Sequence, residues 1–311
     1  MAGAAGRIAI YLREMYPPAV QLPVAALSFA SVTFAFQAGA GGALLVSLRS
    51  LAGTLTVFLL LLFLRVCDEL KDLDADKAHF PDRAIVRGDV LVEDLHRLHR
   101  GCLGAMVLLN LWQGPTVLAA FAGLLVYALL MERWFFMEAR MRASLWLAVA
   151  THNPIVPLIS LYGLAVTAAD GALGSLMPGE LAALIVALWS PSLAWEIARK
   201  IRAAENETDY VTYSQLMGPR TAALTVAALL ALTGGLLTAL RESLALPGAA
   251  LIVVGSGVLL ALTALVAFAL NPGPKTETPL RPAVELCLGL LYLGLAGGFG
   301  IARGLRWETL P

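Results

Sequence analysis

The chain is 311 residues long, 59% hydrophobic and only 14% charged, with a mean hydropathy of +0.78. A soluble domain of this length carries about 25% charged residues, so the composition excludes that class and points to a polytopic membrane protein. Lys plus Arg and Asp plus Glu balance at 22 each, which leaves no basic footprint for a nucleic acid.

The chain opens on RIAIYLREMY (7–16), which mixes basic and apolar positions until Pro17 and Pro18 stop it. This predicts a short helix lying on the membrane surface. Ala38-Gly39-Ala40, after an apolar run from Ala19 to Gln37, has the small residues of a signal-peptidase site. The run is long for a signal peptide and further spans follow, so it reads as an uncleaved first helix. Apolar runs recur near 19–37, 43–66, 98–113, 115–132, 144–166, 179–198, 219–240, 247–270 and 280–302, each close to the ~20 residues a spanning helix needs. The expectation is an all-α fold: nine transmembrane helices around a central cavity, in a single domain over 1–311. The third run is the shortest, and the count falls to eight if it is re-entrant. With the N-terminus cytoplasmic, only Arg49, Arg241, Arg303 and Arg306 fall on the far side. That leaves 18 of the 22 Lys and Arg inside, a strong positive-inside bias. Loops near 67–100 and 199–218 would cap the cytoplasmic face.

The stretch RVCDELKDLDADKAHFPDRAIVRG (65–88) follows the second run and packs Asp68, Glu69, Asp72, Asp74 and Asp76 into nine positions. Charge at the mouth of a span is expensive and usually functional. On a helix, Glu69, Asp72 and Asp76 share a face with Asp68 beside them, while Asp74 points away. Arg83 and Arg87 follow. Asp89 is then placed to cap a short interfacial helix over 90–100, with Leu91, Leu95 and Leu98 on one face. His79, His96 and His99 read as solvated interfacial residues, with no third ligand nearby in sequence to argue for zinc. Cys67, Cys102 and Cys287 are scattered and read as small apolar residues.

In the fifth span, THNPIVPL sets His152 and Asn153 beside Pro154 and Pro157, which predicts a kink. His152 either lines a cavity there or hydrogen-bonds between helices. Pro191 breaks the sixth span before a second charged group, Trp195 to Arg202, in which Glu196 faces Arg199 and Lys200. That spacing suits a plain i,i+4 pair as well as a functional site. Tyr210, Tyr213 and Ser214 lie in a segment able to fold over the mouth. Gly294, Gly298, Gly300 and Gly304 in the last span predict close helix packing.

Converging carboxylates at one membrane face suit a hard divalent cation such as Mg2+, whose coordination is commonly completed by phosphate. Arg83, Arg87, Arg199 and Lys200 could bind the same phosphate oxygens. A prenyl diphosphate satisfies both the charged mouth and the apolar interior. Metal and basic groups would stabilise the departing diphosphate, and faces such as Trp189, Trp195 or Tyr162 could shelter a carbocation.

The stretch resembles the first aspartate-rich motif of the UbiA superfamily of intramembrane prenyltransferases, N-D-x-x-D-x-x-x-D followed by R-P-x-x-x-G. The matching positions are Asp68, Glu69, Asp72, Asp76, Arg83, Ala84 and Gly88, with every spacing kept. Asp68 and Glu69 stand for the usual Asn and Asp, and Ala84 for the proline. The second motif, normally two aspartates four apart, reads Glu196 and Lys200, so a cation replaces one ligand.

The resemblance implies Asp68, Glu69, Asp72, Asp76 and Glu196 as metal ligands for Mg2+, with the firm metal site at the first motif. Asp72, Asp76, Glu196 and Lys200 would be the catalytic set. Arg83, Arg87, Arg199, Lys200, His152, Asn153 and Tyr210 would contact substrate. The implied activity is prenyl transfer from a diphosphate donor to an acceptor that the sequence does not specify. A terpene cyclase on the same fold and a transporter or lipid-binding protein are the alternatives. The expected location is multi-pass in a bilayer, a bacterial inner membrane, with the N-terminus and mouth cytoplasmic.

Overall fold

The computed structural model describes residues 3–308, with the side chains at 75, 78 and 79 outside the described set, so the reading of His79 lies outside it too. Helices α1 (Ala4–Met15), α2 (Pro18–Gln37), α3 (Leu48–Lys71), α4 (Leu73–His79), α5 (Val92–Leu111) and α6 (Pro115–Glu132) come first. Then follow α7 (Glu138–Ala143), α8 (Leu145–His152), α9 (Ile155–Ala169), α10 (Pro178–Ala198), α11 (Tyr213–Met217) and α12 (Pro219–Ala239). The chain ends with α13 (Gly248–Leu270), α14 (Pro274–Glu277), α15 (Leu280–Tyr292), a π-helical stretch (Leu293–Gly297) and α16 (Gly298–Arg303). Two four-residue strands, β1 (Leu44–Ser47) and β2 (Leu305–Glu308), pair in parallel with Leu44 opposite Leu305.

Eight helices have the length and apolar composition to cross a membrane: Pro18–Ala40, Leu48–Lys71, Pro115–Glu132, Leu145–Ala169, Pro178–Ala198, Pro219–Ala239, Gly248–Leu270 and Pro274–Arg303. The expected third span is part of α5, whose first turns carry Glu93, Asp94, Arg97 and Arg100. The long helices pack in chain order, α2 on α3, α3 on α5, α5 on α6, α6 on α9, α9 on α10, α10 on α12, α12 on α13 and α13 on α15. The π stretch returns to α2 and closes the ring. Counting α8–α9 and α14–α16 as one broken helix each, nine helical stretches form this ring among the described residues. Its buried side chains fall into two groups that meet at α2, where Phe29 joins one and Phe36 the other.

Lipid supplies no hydrophobic drive between helices, so they hold by close contact, which small residues permit. A Cβ on Gly53 would sit 2.6 Å from the Phe29 ring, and one on Gly163 would sit 2.7 Å from Val32. The glycine spacing of the last span works in the same way only in part. Gly294 and Gly298 press against Val254 and Ala250 of α13, at 2.9 and 2.6 Å from an added Cβ. Gly304 instead adopts φ +70° and ends α16.

Three local expectations are corrected. The second span begins at Leu48, not 43, because Ser47 and Ser50 form a reciprocal cap there and Leu44–Ser47 is strand. The interfacial helix and the third span are one helix, since Gly101 alone does not break it. Asp89 does not cap that helix. Asp94 reaches back to the Leu91 amide at 3.2 Å, and Asp89 accepts from Arg87 instead.

The kink lies where expected: α8 ends at His152 and α9 begins at Ile155. At the end of the ring away from the charged stretch, Arg49 pairs with Asp170 at 3.2 Å and Ser47 donates to it at 2.5 Å.

Candidate functional site

Helix α3 ends inside the acidic stretch. Asp72 leaves helical geometry (φ −100°, ψ 8°), yet its amide still reaches Asp68 O at 2.9 Å and its carbonyl accepts from Asp76 at 2.8 Å. The acidic side chains therefore keep nearly helical spacing across the break into α4. Glu69 and Asp76 are 1% and 3% exposed, whereas the Asp74 side chain is 99% exposed and among the described residues pairs with Lys77. A buried carboxylate must be paired to stay charged. Asp76 takes a close ion pair with Arg83, and Glu69 Oε2 accepts from Arg65 at 2.6 Å. Arg83 stands 3.9 Å from Glu69 Oε1, outside hydrogen-bond range, and that oxygen is buried without a partner.

Asp68 is half exposed and meets Lys71 at 3.1 Å. Asp72 has no ion pair among the described residues. Burial first, and then Asp68, hold its carboxyl above the ordinary carboxylate range, against the pull of Lys71 and Arg142. Asp68, Asp72 and the orphan oxygen of Glu69 therefore offer hard oxygen donors with incomplete charge compensation. The chemistry of these oxygen donors suits Mg2+, while no three carboxylates of the stretch bring one oxygen each within 4.8 Å of one another among the described residues.

Arg87, for which substrate contact is the expectation, ties the loop to α1. It reaches Glu14 of α1 at 3.1 Å, Asp89 at 2.8 Å and the Asp82 carbonyl, and Gly88 takes φ +82° to make the turn. The same surface helix contributes a residue that sequence reasoning missed. Tyr11 is fully buried, its hydroxyl has no partner, and burial and then Glu69 push its phenol pKa up. No pattern marked a tyrosine on an amphipathic helix as part of this cluster.

The second cluster ends α10. Glu196 accepts from Arg199 through Nε at 2.6 Å and Nη2 at 2.9 Å, and Lys200 lies 3.4 Å away. A single carboxylate already held by two cations is a poor donor set for a second metal ion. Arg199 lies over Trp195 at 5.4 Å and Lys200 over Tyr210 at 5.8 Å. Burial works against the Arg199 charge, but Glu196 outweighs it, and Tyr210 and Asp68 add to the rise in its pKa. Asp68 and Arg199 are thus within electrostatic range across the mouth.

His152 neither bridges helices nor stands alone. Its Nδ1 meets Ala148 O at 2.9 Å on its own helix, and its ring packs edge-on against Trp134 and Phe135. Asn153 accepts from Trp189 Nε1 and links the kink to α10. The aromatic face beside the first cluster is Trp134, covered by Lys71 at 4.6 Å and Arg142 at 5.0 Å. It was not singled out because only the fold brings residue 134 to residue 71. Of the aromatics that were, Tyr162 is buried on Asn110 at 2.7 Å and Trp195 donates to Glu285 at 3.2 Å.

The segment after α10 folds back on the end of that helix. Tyr213 N reaches Lys200 O at 3.1 Å, Arg202 N reaches Ser214 Oγ at 2.7 Å, and Tyr213 packs under Trp146. Glu277 holds it from outside, through Ala203 N at 2.7 Å and Asn206 at 2.8 Å. An open pocket of about 660 Å3 lies on that outer side, lined by Arg202, Glu277, Arg281 and Glu285, away from the acidic stretch.

No family model and no curated protein matches the sequence. Solved structures do. One of digeranylgeranylglyceryl phosphate synthase in membranes superposes with a TM-score of 0.66 at 13% identity, covering 94% of this chain and 99% of that one. A UbiA homologue from Aeropyrum pernix K1 gives 0.63 at 16% identity over 90% and 97% of the two chains. The chain has the fold of the UbiA homologues. A third such structure, a UbiA homologue from Archaeoglobus fulgidus bound to DMAPP and Mg2+, gives 0.53 at 17% identity over 92% and 98%.

Proposed function

We propose that this chain is an integral-membrane prenyltransferase. It would bind a prenyl diphosphate at the mouth between the ends of α3 and α10 and pass the prenyl group to an acceptor entering from the cytoplasmic side. The observation that carries this reading is the opposition of unlike walls. Under-compensated carboxylates at Asp68, Glu69 and Asp72 stand within electrostatic range of Arg199 and the Glu196–Lys200 pair. The UbiA fold supports it, as do the DMAPP, GPP and Mg2+ bound to neighbours from Archaeoglobus fulgidus.

Each residue then has a physical task. Asp68, Glu69 and Asp72 would hold Mg2+, which when bound neutralises charge on the diphosphate and makes it a better leaving group. Asp76 holds Arg83 at the edge of the cluster, where its remaining N–H groups would donate to phosphate. Arg199 uses only Nε and Nη2 on Glu196, so further N–H donors are free for phosphate oxygens, and Lys200 adds a point charge. Glu196 positions these two cations. Trp134, packed edge-on with His152, holds Lys71 and Arg142 over its face and so positions these two cations beside the first wall. Tyr210 would close over the phosphate beside Lys200. The basic-residue bias supports a cytoplasmic mouth and N-terminus.

The test uses the purified chain in detergent with isotope-labelled prenyl diphosphates, with and without Mg2+ and a membrane extract as acceptor source. Labelled product that needs both Mg2+ and extract is expected. Product formed without extract would replace transfer by cyclisation. Failure of any Mg2+-dependent binding or consumption across donor chain lengths would sink the enzymatic reading.

A further inference from the structure

Behind the acidic stretch, three helices bring together residues of another chemistry. Cys67 of α3, His99 of α5 and Glu132 at the end of α6 place one ligand atom each within 4.8 Å of one another. The residues are 32 or more positions apart in sequence, so no spacing motif announced them. His99 Nε2 lies 3.5 Å from Glu132 Oε2, too long for a good hydrogen bond, and it is buried without a hydrogen-bond partner. Phe63 stacks on the imidazole with centroids 4.5 Å apart and fixes the ring plane. Cys67 is buried, while Glu132 keeps partial exposure and leaves an entry path.

Zinc bonds of about 2.0–2.3 Å in a tetrahedron put ligand atoms roughly 3.3–3.8 Å apart. The His99–Glu132 separation already matches such an edge, and the other two separations are at most 4.8 Å. Thiolate, imidazole and carboxylate together select a borderline transition metal and not Mg2+. We propose that Cys67, His99 and Glu132 form a three-ligand site for a Zn2+-like ion, separate from the all-oxygen cluster and independent of the prenyl-transfer reading. Binding would release the Cys67 thiol proton to solvent and leave the fourth position to water. Because Cys67 precedes Asp68, an ion here would pin the end of α3 against α5 and α6 and steady the acidic wall.

The experiment uses the full chain, purified in detergent and stripped with chelator, titrated with Co2+ as a spectroscopic probe. A thiolate-to-cobalt charge-transfer band saturating at one equivalent is expected, displaced by Zn2+ and not by excess Mg2+. Cys67→Ser should abolish the band, and His99→Ala should weaken Zn2+ binding by at least roughly 100-fold. Cys102→Ser, Cys287→Ser and Asp72→Asn should all retain the band. Should Cys67→Ser not fold, the His99→Ala and Cys102→Ser results decide. A chain that gives no charge-transfer band overturns the proposal, as does a band that survives Cys67→Ser or an affinity unmoved by His99→Ala.

Discussion

At the end of α3, Glu69 and Asp76 are buried with Arg65 and Arg83, yet one Glu69 oxygen has no hydrogen-bond partner and the Asp72 carboxyl has no ion pair among the described residues. At the end of α10, Glu196 is the only carboxylate of its cluster and takes three contacts from Arg199 and Lys200. Both walls mix the same residue types, and the balance is opposite. One has spare acceptors and the other spare donors. The difference lies in stoichiometry at close range: Asp68, Glu69, Asp72 and Asp76 share Arg65, Lys71 and Arg83 on the first wall, and two cations share one acid on the second. A single metal bound to the first wall and the phosphates bound to the second is the division of labour that follows.

The sharpest way to break this comparison is to unbalance the buried wall. Arg83→Ala leaves Asp76 and Glu69 under-compensated in the interior, and such a loss costs about 3–5 kcal/mol. Thermal or denaturant unfolding in detergent should show the drop, while Arg87→Ala, on the more exposed loop pairs, should show much less. Next comes Asp72→Asn, which removes a charged donor that no cation holds. Turnover with Mg2+ should fall by about 10²–10³ with the fold intact, read by product formation at saturating donor. If Asp72→Asn turned over like the parent chain, the metal would have to sit elsewhere.

Lys200→Ala sharpens the other side. Loss of one charge-assisted contact to phosphate corresponds to about 1.5–3 kcal/mol, roughly tenfold or more in donor affinity. Mg2+ affinity measured without donor should not move. Equal weakening of both would mean that Lys200 organises the metal site and that the walls are not separate.

The bundle was legible because hydropathy runs of spanning length survive any packing detail, and the break at His152–Pro154 was legible because proline chemistry is local. Motif spacing likewise gave Asp68 to Asp76 a common side and turned Asp74 outward. What stayed hidden depends on approach across the ring. Trp134 comes under Lys71, Tyr11 under Glu69, and Cys67 beside His99 and Glu132 through helix packing that no periodicity encodes. Arg87 looked like Arg83 from spacing alone, but Glu14 of the surface helix claims it. The short strand ahead of α3 was read as span because Leu44–Ser47 is apolar, and its pairing with Leu305–Glu308 is a contact between the two ends of the chain.

The smallest expected effect lies within the acidic stretch itself. Asp74 is two residues from Asp72 and carries the same charge, but its side chain is 99% exposed and its one partner, Lys77, is a solvated i,i+3 neighbour. Water screens both, and exposed pairs of this kind contribute little. Asp74→Asn should therefore leave Mg2+ affinity, turnover and unfolding within experimental error of the parent chain, in direct contrast to Asp72→Asn. A loss of Mg2+ affinity in Asp74→Asn that disappears at high salt would show that the wall acts through its summed field. A loss that persists at high salt would put Asp74 on the ion, and Asp68, Glu69, Asp72 and Asp76 would then no longer form a face apart from it.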